Sequence, residues 1–393
     1  MVELISPAGD WISLRAAVEA GADAVYFGLK EYSMRAAAKN FNLSELKKVV
    51  EFCHKNKVKA YLTLNTIIYE NELDKIKKIL KEAKKAKVDA VHAWDMSVVE
   101  EARKLKIPVH LSTQASVSNS ESAEFYKKIG ISRIILAREC NLKQIREIKK
   151  KVKALEIEVF VHGAMCVSVS GRCFISQFLF NKSANRGECL QPCRREYIVE
   201  DIEEGHKLKL GSNYVMSPKD LCTLPFIDKL IKAGIDAFKI EGRNRSPEYV
   251  KIVTEAYREA IDKGYRPELL EKVKTVYNRG FSSGFYLGLP ILKDWTDVHG
   301  TKATTRKVYV GKIMHFYNKI KVAEIKIEAR GLNKGDNLMI QGPTTGIFEQ
   351  ELESMEINHK KIEEAGKGKL IAVKLSKLSR KNDKIFVIEK VKK

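Results

Sequence analysis

The chain has 393 residues, 44% hydrophobic and 31% charged, enough for one large core and a second, smaller one. Its 71 Lys and Arg against 50 Asp and Glu give a formal net charge of +21, which suits a polyanionic partner such as RNA. No run approaches the roughly 18 apolar residues of a membrane span, and the opening "MVELISPAGDW" carries neither a basic stretch nor a long apolar one, so a cytoplasmic protein with no membrane partner is expected.

Residues 1–264 alternate short β-type runs with amphipathic helical ones. "ELISPAG" (3–9), "AVYFGL" (24–29), "KAYLTLNT" (59–66), "AVHAWD" (90–95), "PVHLSTQAS" (108–116), "RIILARE" (133–139), "EVFVHGAM" (158–165) and "AFKIEGR" (237–243) read as eight buried strands. Between them lie helices such as "WISLRAAVEAG", "LSELKKVVEFCHKNK" and "SPEYVKIVTEAYREAIDKG". Eight βα units over this length predict an α/β chain folded as a TIM-like (β/α)8 barrel. A doubly wound open sheet is the alternative, but "SPAGD" after the first strand is no G-x-G-x-x-G fingerprint.

The beat breaks once, after the seventh strand, where a Cys-rich insertion spans 162–216 and a seventh helix, "SPKDLCTLPFIDKLIKAG", resumes it from 217. Residues 265–304 read as a connector, and 305–393 as a small basic β-barrel built from "KVYVGKIMHF", "KIKVAEIKI", "GDNLMIQG", "KLIAVKL" and "KIFVIEK". Residues 301–393 hold 21 basic against 11 acidic residues. That excess fits a nucleic-acid face, and fits equally a Lys-rich, heat-adapted surface.

Seven cysteines, an odd number and mostly in one cluster, point to metal or redox chemistry and not to a secreted disulfide scaffold. The insertion spaces four of them as Cys166-x6-Cys173-x15-Cys189-x3-Cys193. Structural zinc uses two close C-x(2-4)-C pairs, and only Cys189 and Cys193 form one. The spacing favours a 4Fe-4S cluster, with zinc as the alternative and unliganded buried thiols as the bland one. Cys53 and Cys140 read as core residues, and Cys222 as a helix-start residue able to approach the cluster.

Polar residues recur at the C-terminal ends of the strands, the catalytic face of such a barrel. Arg35, Asn65, Gln114, Arg138, Lys239, Arg243 and Arg245 are the candidates for binding an anionic substrate, since Arg grips carboxylates and phosphates with two N–H groups. His162 and Glu241 are the candidates for proton handling. No H-E-x-x-H or G-x-S-x-G appears, and Ser170 in "SVSGRC" is not in a nucleophile elbow.

"EVFVHGAMCVSVSGRCFIS", "GECLQPCRREY", "FKIEGRNRSPEYV" and the opening "ELISPAGDWISLRAAVEAGADAVYFG" closely resemble the peptidase U32 family, from residue 3 into the C-terminal β unit. The resemblance implies oxygen-independent hydroxylation, which members carry out on the tRNA wobble uridine, on a 23S rRNA cytidine or on ubiquinone precursors. It links the tRNA branch to prephenate and the hydroxylase branches to an iron–sulfur cluster. It implies Cys166, Cys173 and Cys189 as cluster ligands, and "CLQPCRR" matches the RNA-modifying branch, with Cys193 as the fourth. The expectation is a hydroxylase making 5-hydroxyuridine in tRNA from a small dicarboxylate donor, prephenate, alone or as a homo- or hetero-oligomer. A metal-dependent peptidase and a non-enzymatic RNA-binding factor are the alternatives.

Overall fold

Seven strands run parallel in chain order, each beside the next: β1 (Glu3–Ala8), β2 (Ala24–Gly28), β3 (Lys59–Thr63), β4 (Ala90–Ala93), β5 (Val109–Leu111), β6 (Arg133–Ile135) and β7 (Glu156–Gly163). A hairpin, β8 (Tyr197–Glu200) with β9 (Lys207–Leu210), and a short strand β10 (Asp220–Cys222) follow before β11 (Ala237–Ile240). β11 pairs in parallel with both β7 and β1, which closes an eight-stranded barrel. The coordinates, a computed structural model, describe residues 2–210, 216–298 and 300–391, so residue 1 of the expected barrel, residues 211–215 of its insertion, residue 299 of the expected connector and the last two of the expected C-terminal unit lie outside them.

The helices α1 (Trp11–Glu19), α2 (Leu46–Lys55), α3 (Leu73–Ala86), α4 (Met96–Lys104), α5 (Ser120–Lys128) and α6 (Leu142–Lys151) sheathe the barrel. Their starts are written in the sequence: Asp10, Asp95, Asn119 and Asn141 each accept a hydrogen bond from a first-turn N–H. In α3 the buried positions Ile76, Ile79, Leu80 and Ala83 fall at helical spacing, so the stripe faces the barrel while the lysines stay in water.

Among the described residues, the insertion carries one short α-helix, α7 (Ile175–Phe180). The seventh helix was expected from 217, but its first part is strand β10, antiparallel to the end of β7, and the helix α8 is only Ile227–Lys232. Pro225 explains the difference, because in the interior of a helix begun at 217 it would remove an N–H from the hydrogen-bond ladder and clash with the carbonyl four residues before it. Cys222, read as a helix-start residue able to approach the cluster, is instead a buried residue of strand β10 opposite His162. α9 (Pro247–Lys263) completes the sheath.

Residues 265–304 do more than connect. They form α10 (Pro267–Lys274) and β12 (Phe281–Ser282), which pairs with β10, while the Tyr286 hydroxyl donates to the Phe160 carbonyl at 2.5 Å. The C-terminal unit is antiparallel: β13 (Thr305–Tyr317), β14 (Val322–Ile327), β15 (Leu332–Asn333), β16 (Asn337–Gly342), β17 (Gly346–Glu351), β18 (Met355–Ile357), β19 (Lys360–Ile362), β20 (Glu364–Ala365), β21 (Leu370–Lys374) and β22 (Lys384–Lys390). Its main ladder runs β17-β16-β22-β13-β14-β21-β18-β19 around a core of its own. Met339 and Ile347 leave that core to join the barrel's, and Lys307 and Gln341 both bond Glu248 of α9, at 2.9 and 3.0 Å. No helix among the described residues is long and apolar enough to cross a membrane.

Candidate active site

The barrel interior is polar to an unusual degree. Its apolar lining is Ile5, Ala24, Tyr26, Tyr61, Ala90 and Ala237. Glu158 of β7 and Lys239 of β11 meet there at 2.8 Å, Lys239 also reaches His92 at 2.9 Å, and His92 lies 3.3 Å from His110. Arg133 bonds Glu3 at 2.7 Å and Glu158 at 3.4 Å. His92, His110 and Glu158 thus gather three ligand-type atoms within 4.8 Å. Lys239 and Arg133 already stand on that carboxylate, so two cations fill the place a metal ion would take. Burial first, then the charge of Lys239, pushes His92 well below its ordinary pKa and keeps it neutral.

Above this floor, at the C-terminal ends of the strands, lies a cavity of about 160 Å³. The barrel contributes Tyr26, Thr63, His92, Phe160, Lys239 and Glu241, the loops contribute Arg35, Asn65, Ser112, Gln114, Arg138 and Arg243, and the insertion contributes Cys166, Cys173, Cys189, Cys193 and Arg194.

The insertion is stapled over the mouth by its own side chains. Arg194 donates to the Met165 carbonyl at 2.6 Å and to Ser217 at 3.1 Å, Arg186 donates to Glu72 at 2.8 Å, and the Leu190 N–H donates to Ser176 at 2.9 Å. Gly187 has φ +92°, and a Cβ there would strike the Ser33 carbonyl, so only glycine lets this loop seat on the segment that carries Arg35.

All four thiols are free, Cys166 and Cys189 exposed, Cys173 and Cys193 partly covered. Burial raises the Cys193 thiol, Arg194 opposes, and the neighbouring sulfurs of Cys166, Cys189 and Cys173 add to the rise, so the four lie within one another's field. No three of them converge within 4.8 Å. A tetrahedral zinc with Zn–S bonds of about 2.3 Å would hold sulfurs ~3.8 Å apart. Four free thiols lining one cavity are a donor set that a sulfide-bridged iron cluster or a zinc ion could take.

Cations dominate the rest. Burial would raise the Glu241 carboxyl, but Arg35, Arg245 and Arg138 outweigh it and hold it below the usual range; Arg35 Nε and Nη2 donate to its Oε1 at 3.1 and 3.0 Å. Burial lowers Arg243 to about 10, and its Nη1 bonds the Ser33 and Thr63 hydroxyls instead of a carboxylate. Burial also lowers Arg138, whose Nη1 donates to the Ala164 carbonyl at 2.7 Å and whose guanidinium lies 4.1 Å over the Phe160 ring. The Arg138 Nε is buried without a hydrogen-bond partner among the described residues. Lys239, between the Tyr26 and Phe160 rings, is brought to about 8 by burial.

Of the residues expected from the sequence, the four cysteines, Arg35, Asn65, Gln114, Arg138, Lys239, Glu241 and Arg243 meet on this cavity, and His162 and Arg245 do not line it. His162 was expected to handle protons. β7 and β11 pair Phe160 with Lys239 and then His162 with Ile240, and this bulge turns His162 out of the lumen. There it packs against Tyr249, Tyr257 and Phe281, and burial pushes it down to about 3, a neutral core histidine. Arg245 stacks at 3.7 Å on Tyr277 and acts on the site only through its charge. Asn65 and Gln114 spend polar atoms on the wall: Asn65 Oδ1 accepts from the Met34 N–H at 3.1 Å, and Gln114 donates to the Asn65 carbonyl at 3.3 Å. Tyr26, Thr63, His92, Phe160 and Arg194 went unnoticed in the sequence. Strand alternation inward from Lys239 and its counterparts would have found the first four.

Fold and site together define an α/β barrel protein with a thiol-ringed, cationic pocket at the catalytic face. The description "Peptidase family U32" matches residues 9–294, and the chain belongs to that family. It is 44% identical to an uncharacterized protease of Methanocaldococcus jannaschii, covering 99% of this chain and 98% of that one. It is 41% identical to a collagenase of Porphyromonas gingivalis over the same shares. It is 35% identical to tRNA hydroxylation protein P1 of Bacillus subtilis, over 90% of this chain and 86% of that one.

Proposed function

We propose that this chain hydroxylates an RNA nucleobase without molecular oxygen, with the tRNA wobble uridine as target, C5 as the position and prephenate as the oxygen donor. The supporting observation is that four free thiols share one cavity with Arg35, Arg138, Arg243 and Lys239. The relative named for tRNA hydroxylation agrees with this chemistry. In net terms the base exchanges C–H for C–OH and is oxidised by two electrons, while the donor exchanges C–OH for C–H and takes up the same two.

Arg138 and Arg243, neither hydrogen-bonded to a carboxylate among the described residues, receive the two carboxylates of the donor. Arg35 orients Glu241, which stays ionised and accepts the proton released at the base. Lys239, near 8, returns a proton to the donor. A 4Fe-4S cluster on Cys166, Cys173, Cys189 and Cys193 would supply single-electron transfer, because four thiolates leave no iron corner open.

The test is anaerobic purification with iron, zinc and acid-labile sulfide assays on the wild type and Cys166→Ala, then nucleoside mass spectrometry of tRNA from a 5-hydroxyuridine-deficient strain expressing each. About four iron and four sulfide per chain, lost in Cys166→Ala together with 5-hydroxyuridine, is the expected result. One zinc without sulfide overturns it and returns the peptidase reading, which the names of two relatives carry. The site gives that reading little help: Ser170 bonds Thr113, and His92 is held by Lys239 and His110, so the two form no nucleophile and base pair. Unchanged RNA despite tight RNA binding would leave the non-enzymatic factor.

A further inference from the structure

We infer that the outer rim of the cavity, around α7, is a stacking platform on which two or three splayed nucleotides of a single-stranded RNA loop lie. The inference rests on the RNA-modifying reading above and gives it a docking surface. α7 stands between Cys173 and Cys189, anchored through buried Ser176, and turns Phe174 and Phe178 to solvent with exposures of 64% and 84%. Aromatic rings left this open in a folded chain mark a binding surface.

Guanidinium groups interleave with rings along the same rim. Arg195 lies 4.4 Å over Phe180, Arg172 5.8 Å over Trp94, and Arg186 4.9 Å over the exposed Tyr69. Residues 166–195 hold five basic side chains against one acidic, Glu188. Lysines of the sheathing helices pair with carboxylates of their own helix, as Lys85 does with Glu82 and Lys104 with Glu100. Arg172 and Arg195 are exposed and have no carboxylate partner among the described residues.

This pattern selects the occupant. An apolar protein surface would be met by rings but would leave the charges of Arg172 and Arg195 without a counter-ion, and a six-residue helix offers a lipid interface little apolar area. A single strand satisfies both groups, since phosphates neutralise the arginines while bases stack on rings and on guanidinium planes. Duplex RNA keeps its bases stacked internally and cannot use the rings.

The experiment measures fluorescence anisotropy of a labelled anticodon stem-loop and a labelled duplex of equal length, over a range of salt, with the anaerobically purified full-length chain. Phe174→Ala/Phe178→Ala should weaken stem-loop binding at least about fivefold per ring removed, leave duplex binding and iron content unchanged, and raise the KM for tRNA more than it lowers kcat. Arg172→Gln/Arg195→Gln should reduce the slope of log K against log salt by about two. If the wild type modifies tRNA and the aromatic double variant binds and modifies it equally well, the platform is wrong while the hydroxylase reading stands. If that variant instead converts a dimer to a monomer in sedimentation, the rings are a contact with a second copy and the platform is again wrong. If the wild type binds no RNA and modifies none, the hydroxylase reading fails first.

Discussion

Arg138 lines the pocket with a buried Nε that meets no hydrogen-bond partner among the described residues, and burial disfavours its charge. A group in that state gains when a carboxylate arrives, because a hydrogen bond between charged partners is worth about 1.5–3 kcal/mol. Arg138→Met is therefore expected to weaken prephenate binding roughly 10- to 100-fold, read by calorimetric titration of the anaerobic protein. An unchanged affinity would remove Arg138 from the donor site. His162 carries a second expectation. Its folded pKa, about 3, lies below its ordinary value, so the unfolded chain takes up a proton that the folded chain refuses. The stability this residue supports is complete above about pH 6.5 and falls by ~1.4 kcal/mol per unit between there and about 3. His162→Gln should make the acid limb of urea stability shallower by one proton, and equal slopes in both proteins would show that the imidazole titrates freely.

At the scale of the elements, the insertion hangs on one backbone position. Gly187→Ala puts a side chain in a left-handed conformation, at a cost of about 1–2 kcal/mol, and presses it on the Ser33 carbonyl. The expected outcome is a folded barrel with lower urea stability and less bound iron per chain, because the loop carrying Cys189 must lift. Full iron with wild-type stability would show that the loop has another seat. The repeating units were legible because each strand and each capped helix announces itself locally, as the Asp10 and Asn141 caps do. The cysteine cluster was legible for the same reason, its spacing being a local signal. What sequence could not show depends on registers between distant segments. The one-residue bulge at β7 decides which way His162 points, and nothing in "EVFVHG" marks it. β17, β18 and β19 lie among turn and charged residues, in runs too short or too mixed to show alternation.

For the whole molecule, the C-terminal unit is tied to the barrel by Met339, Ile347 and the Glu248 bonds, so its position relative to the pocket is fixed by packing and not by a tether. The charged floor of the barrel has a calorimetric consequence. Where most barrels bury aliphatic layers, this one buries Glu158, Lys239, Arg133, His92 and His110. Exposing apolar surface raises the heat capacity on unfolding, and exposing polar surface lowers it. The increment should therefore fall below the roughly 12–15 cal/mol/K per residue typical of globular chains, as scanning calorimetry at several pH values can establish. A smaller increment flattens the dependence of stability on temperature, so the interior that sets the electric field beneath the pocket would also widen the thermal range over which the chain stays folded.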